Sequence, residues 1–135
     1  MTRTDVTDYK VEEISYVNKL KENESIEIIT ESRSDVSFED GAKNGICRLQ
    51  VESYNKASKE SFCVSITVVS GYIFEGELDR GNIFETVSND TFRIATSLMH
   101  SFMGSIGVPP VPLQPATFSK NNMTNSDEVK FVSND

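Results

Sequence analysis

One histidine and two cysteines are all the imidazole and thiol groups in this 135-residue sequence. With His100 alone, any metal site that needs two imidazoles is excluded, and Cys47 and Cys63 fall in no CxxC pair. No carboxylate lies between Thr91 and Phe118, so His100 reads as a surface or interface histidine rather than a general base. A phosphate-cradling glycine loop, a nucleophile elbow and a dinucleotide fingerprint are all missing. Internal repeats are missing as well. The sequence therefore points away from an enzyme, and no cofactor is expected.

Long apolar runs are also lacking. None approaches the roughly 20 residues that span a bilayer, and the first residues do not form a basic start followed by an apolar stretch. The expectation is a cytoplasmic protein with no membrane insertion. Basic residues are scarce too: the formal net charge is -8, and between Asp8 and Asp40 ten acidic residues face four basic ones. That segment repels phosphate, which argues against nucleic acid as a partner. It either attracts a basic partner or simply keeps the chain soluble.

What is present suffices for one domain with one core, with 37% hydrophobic residues including eight Phe and four Tyr. Val11 to Leu20 reads as a first strand. Glu24 to Arg33 reads as a second, with Ile26 and Ile28 on one side and Glu27, Ile29 and Glu31 on the other. Asp35 to Asn44 reads as a long connection holding Val36 and Phe38. From Gly45 to Tyr54 the alternation is clean, Cys47, Leu49 and Val51 opposing Arg48, Gln50 and Glu52. Ser61 to Phe74 repeats it, Phe62, Val64, Ile66 and Val68 opposing Cys63, Ser65 and Thr67. Two such strands joined by a polar turn make a hairpin with one apolar face and one wet face. The two cysteines then point to opposite faces as reduced thiols. Gly71-Tyr72-Ile73-Phe74 departs from the alternation and suggests a bulge at Gly71.

Asn82-Ile83-Phe84-Glu85 has the pattern of a capping box for one short turn. The main helix is expected to begin near Ser88 or Asn89. Its apolar positions are Phe92, Ala95, Met99, Phe102, Met103 and Ile106, and Gly107 and Pro109-Pro110 stop it. Ile94 and Leu98 widen the apolar arc beyond what a surface helix needs. From Thr91 to Ile106 the only formal charge is Arg93, and Ser97, Ser101, Gly104 and Ser105 fill the weakly polar side. Small residues permit close approach, either of another subunit or of a loop of the same chain. Glu75, Glu77 and Asp79 would share a face if the strand ran that far, as a solvated edge or as ligands for a hard cation. Pro109 to Pro115 must be extended, and 119–135, rich in Asn and Ser, reads as a disordered or loosely held tail.

From Cys47 to Phe118 the chain resembles SecB, the tetrameric export chaperone of bacteria. The hairpin followed by Gly71-Tyr72-Ile73-Phe74 is similar to that family's Gly-Gly-Ile-Phe stretch. The ending from Gly107 to Phe118 is similar to its Gly, aromatic, Pro, Leu-x-Leu-x-Pro and final Asn/Asp-Phe, with Pro109, Leu113, Pro115 and Phe118 in register. The departures are equally definite. The family helix opens Phe-Pro-Tyr-Ala-Arg, and here only Phe92 and Ala95 match. The family docks on the SecA motor partly through a Leu and a Glu where this register places Ser65 and Thr67, so that contact is not carried over.

The resemblance implies an α+β, SecB-like domain over 1–118, with a four-stranded antiparallel sheet and one main helix packed on one face. It implies chaperone-like binding of unfolded or extended polypeptides in an apolar groove, with Phe74, Phe84, Met99, Phe102 and Met103 around the seam. It also implies a dimer or tetramer, with the face of Ser97, Ser101, Gly104 and Ser105 in the interface. Ordinary core packing is the competing reading of each apolar residue. Two other functions stay open. One is an adaptor or antitoxin-associated domain of the same fold serving one partner. The other is a small-molecule-binding α+β domain, which would need a closed pocket with converging polar groups.

Overall fold

The computed structural model describes residues 3–21, 24, 26–38, 41–107, 118 and 128–134. In chain order the elements are β1 (Arg3–Asn18), β2 (Ile28–Phe38), β3 (Asn44–Asn55), β4 (Phe62–Glu75), α1 (Arg80–Ser105) and β5 (Glu128–Asn134). All strand pairs are antiparallel, in the order β1-β4-β3-β2-β5. The first four strands and the helix on one face are the expected α+β arrangement. The fifth strand lies within 119–135, the stretch whose Asn- and Ser-rich composition reads as a tail, and it is built on the short run Val129-Lys130-Phe131-Val132. The proline-rich stretch 109–115 and residues 119–127 lie outside the described residues.

The β3–β4 hairpin keeps its predicted phase. Cys47, Leu49, Val51, Phe62, Val64, Ile66 and Val68 are buried against Ile83, Phe84, Val87, Ala95, Met99 and Met103 of α1. Cys63 is half-buried on the other face, and both thiols are free. Beyond the hairpin the elements are longer than their hydrophobic patterns suggest. β2 runs on to Phe38 and buries Val36, because its other core positions are Thr30, Ser32 and Ser34, which carry no apolar signal.

The helix starts at Arg80, eight residues before Ser88. Asp79 is its N-cap, and its carboxylate accepts the Asn82 N–H at 3.1 Å. Asn82 to Glu85 is thus the first turn of α1 rather than a separate turn. Gly107, at φ 78°, ends the helix as expected.

Nor does β4 bulge at Gly71. Its alternation continues through buried Ser70, Tyr72 and Phe74, and the extra residues lie on β1, at Thr7 and Glu12, between the register steps Val6/Asp8 and Val11/Glu13. A Cβ at Gly71 would meet the carboxylate of Asp8, an exposed side chain with room to turn away.

Between helix and sheet runs a line of buried hydroxyls. Ser34 and Ser88 share a hydrogen bond of 2.7 Å, Ser70 and Thr91 another of 2.7 Å, and Thr30 and Ser53 one of 2.9 Å. The first two join sheet to helix and fix where α1 crosses, since sliding it would leave buried hydroxyls unpaired at about 1–3 kcal/mol each. Ser34→Ala should therefore destabilise the protein by about 1–3 kcal/mol in urea unfolding. Adding Ser88→Ala should recover part of that loss, and strict additivity of the two losses would contradict the pairing.

Candidate functional site

Tyr9, Val11 and Ile14 stand opposite Ser70, Val68 and Ile66 on β4, which places all three on the helix side of the sheet. The extra residue at Glu12 makes this possible, because without it Val11 and Ile14 would point to opposite faces. They are nonetheless 51%, 43% and 36% exposed, for α1 does not cover them.

Along one flank of α1, Ile94, Leu98 and Phe102 recur at four-residue spacing and are half-buried. The Phe102 ring meets Tyr16 of β1 edge-on, with centroids 6.4 Å apart, and so joins the two apolar rows. β1 is also the edge of the sheet, and among the described residues no strand pairs with its outer side. A 16-residue edge without a strand partner among the described residues thus borders an apolar strip.

The other flank of α1 is closed. Phe118 is 1% exposed and packs edge-on against Phe84 and Phe92, with centroids at 6.2 and 6.0 Å. Asn89 clamps it: the side-chain amide donates to the Phe118 carbonyl at 3.3 Å and accepts the Phe118 N–H at 3.1 Å. Asn89, a candidate N-cap in the sequence, holds Phe118 instead.

These facts redistribute the residues anticipated for polypeptide binding. Phe74, Phe84, Met99 and Met103 are at most 5% exposed and belong to the core of this chain, so only Phe102 of the five reaches solvent. Apolar periodicity marks a helix face without separating its centre from its flank. The sequence signal for this half-buried flank is the excess width of the arc at Ile94 and Leu98. Ser97, Ser101, Gly104 and Ser105 are all exposed on the outer side of α1, as is His100.

The opposite sheet face is wet and charge-paired. Arg48 pairs with Glu12, Lys59 with Glu52, and Arg33 with Asp35 at 3.6 Å. Tyr54 donates to Glu31 at 2.6 Å, a bond to a carboxylate that pushes the phenol's pKa up. Ser65 and Thr67 are buried among these neighbours, and Ser65 shares a 2.8 Å hydrogen bond with Ser15. Recesses on this side are open, such as one of about 300 Å³ between Glu31, Arg33, Gln50, Glu52 and Lys59. They do not form the closed, converging pocket that a small-molecule site needs.

Glu75, Glu77 and Asp79 do not form a row. The strand ends at Glu75, Gly76 turns at φ 94°, and Asp79 caps the helix. Burial pushes the Cys47 thiol up despite hydrogen bonds from Ser34, Thr91 and Ser70. Cys63 is raised by burial and by Glu52. Neither is an activated nucleophile.

Compared with known proteins, the chain matches no family model and no curated protein sequence. Its fold does match a solved structure, the Mycobacterium tuberculosis Rv1957 SecB-like chaperone in complex with a ChAD peptide from the Rv1956 HigA1 antitoxin. The TM-score is 0.63 at 11% identity, covering 83% of this chain and 86% of that one. The chain therefore has a SecB-like fold. Among the described residues no helix is long and apolar enough to cross a membrane.

Since Val11 and Ile14 contribute little to the core, Val11→Lys with Ile14→Lys should change unfolding free energy by only about 0.5 kcal/mol per site. The same pair should remove most binding of an apolar fluorescent dye. Unchanged dye binding would place the accessible apolar surface elsewhere.

Proposed function

We propose that the chain is a chaperone-like module that holds extended or unfolded polypeptide without chemical change. The observation that carries this reading is the β1 edge, unpaired among the described residues, beside Tyr9, Val11, Ile14, Ile94, Leu98 and Phe102. An extended client adds to that edge through main-chain hydrogen bonds, and its alternate apolar side chains lie on the strip. Phe102, on a helix flank with Ile94 and Leu98, offers apolar surface that does not depend on one sequence. The strong acidity of the chain favours basic clients and disfavours acidic ones. Catalysis, metal and cofactor have no part in the reading, and a chelator should leave the melting temperature unchanged.

Self-association belongs to the same proposal. On α1, Ser97, Ser101, Gly104 and Ser105 leave an exposed, nearly uncharged side that suits close contact with a second copy as a dimer or tetramer. A SecA-type motor is not supported, because Ser65 and Thr67 are buried where a docking contact would need exposed side chains.

A second reading has its own support. The structurally similar mycobacterial chaperone is described in complex with an antitoxin peptide, so an adaptor for one dedicated partner fits the same edge. Unrelated clients separate the two.

At near-equal concentrations the chain should suppress aggregation of a chemically unfolded, unrelated protein, and the Val11→Lys/Ile14→Lys variant should lose most of that effect. No suppression by the wild type removes the general chaperone reading and leaves the dedicated adaptor. For assembly, light scattering at micromolar concentration should give a dimer or larger. Ser101→Arg should reduce it to monomer, because a buried charge without a partner costs several kcal/mol. A wild-type monomer, or normal assembly of the variant, rejects the helix interface.

A further inference from the structure

β5 lies at the far edge of the sheet from β1. Its seven residues pair antiparallel with β2, Glu128 opposite Ser37 and Asn134 opposite Glu31. α1 packs over β1 to β4, which form the core with it, and β5 joins at the rim with β2 as its main neighbour. A short edge strand with one neighbour is the part of a sheet that opens at lowest cost.

Three features make the β2 edge a receptor rather than a passive border. Main-chain groups along Glu31–Ser37 are offered in one continuous antiparallel register. The sheet positions facing α1 are small, so that Val129 stands opposite Val36 and Phe131 opposite Ser34. Between them Lys130 stands opposite Asp35. Asp35 Oδ1 is buried and accepts no hydrogen bond among the residues whose side chains are described, and its ion-pair partner there is Arg33 Nε at 3.6 Å. A cation on the incoming strand is therefore favoured at this position.

Resting on the polypeptide-binding reading above, we infer that β5 is a displaceable internal cap on a second docking edge, that of β2. The chain's own apolar-basic-apolar strand occupies the edge until an extended client of the same pattern replaces it. Nine residues, 119–127, separate the clamped Phe118 from Glu128, a reach of up to about 30 Å. Release of β5 therefore leaves the Asn89–Phe118 clamp and the core in place. The client class follows from the register: antiparallel, extended, with a Lys or Arg flanked by apolar residues.

The test uses the full chain with Cys63→Ser, and as probe a fluorescent peptide of residues 127–135. Arg33→Cys and Val132→Cys, opposite each other in register, lock β5 on β2 when oxidised. The oxidised chain should fail to bind the peptide, and reduction should restore binding. Phe131→Pro disfavours the extended pairing and Lys130→Glu sets like charges across the pair. If β5 is docked about nine-tenths of the time, each should tighten peptide binding by up to about tenfold. A peptide carrying Lys130→Glu should bind more weakly than the parent. Equal binding by oxidised and reduced chains, or no gain in both release variants, overturns the inference. So does a change of molar mass on peptide addition that shows β5 exchanging between copies. Peptide exchange without protection of an unfolded protein removes the chaperone reading but not the cap.

Discussion

The rest of this structure depends on the covering of one broad sheet face by one helix. An α-helix with its side chains is about 10–12 Å across, whereas five strands at about 4.8 Å spacing span about 19 Å. α1 cannot cover that width. It crosses obliquely, from the Arg80 guanidinium over the Phe38 ring at 5.1 Å on β2 to the Phe102–Tyr16 contact on β1. Ser34–Ser88 and Ser70–Thr91 hold it at that crossing. Uncovered surface is then unavoidable on both sides. One side is closed by Phe118, and the other leaves Tyr9, Val11 and Ile14 open.

Function is proposed on the open side because the same geometry supplies two complementary resources there. The edge of β1 has no strand partner among the described residues, and the uncovered face offers apolar contact. An isolated chain with such an edge is exposed to aggregation unless something pairs with it. Bulges at Thr7 and Glu12 twist the strand, and Asp5, Asp8, Lys10 and Glu13 charge it, which limits indiscriminate pairing. The opposite end of the sheet is blunted differently, by the chain's own β5.

Much of this was legible in the sequence, and the part that was not has definite causes. The β3–β4 hairpin could be read because each strand alternates strictly and buries one face, as Leu49, Val51, Val64 and Ile66 do. Helix α1 could be read from Phe92 onward, but its first turns were hidden by a polar residue, Ser88, at a buried position. β2 was hidden in the same way by Thr30, Ser32 and Ser34, whose burial depends on partners far along the chain. Along β1 the phase change at Glu12 puts odd-numbered Val11 and even-numbered Ile14 on one side, which no fixed period of two can show. Phe74, Phe84, Met99 and Met103 illustrate the converse: periodicity found the apolar face, and only packing separates its buried centre from Phe102 on the flank.

The central claim is that extended polypeptide adds to the outer edge of β1 beside the α1 flank. Amide hydrogen exchange, followed residue by residue with and without a chemically unfolded client, tests it most directly. Addition of a strand should slow exchange of the outward amides between Tyr9 and Tyr16 and leave core amides such as those of Leu49 and Ile66 unchanged. A client that binds without slowing any β1 amide, or that protects only the charged face around Arg33 and Arg48, would contradict it.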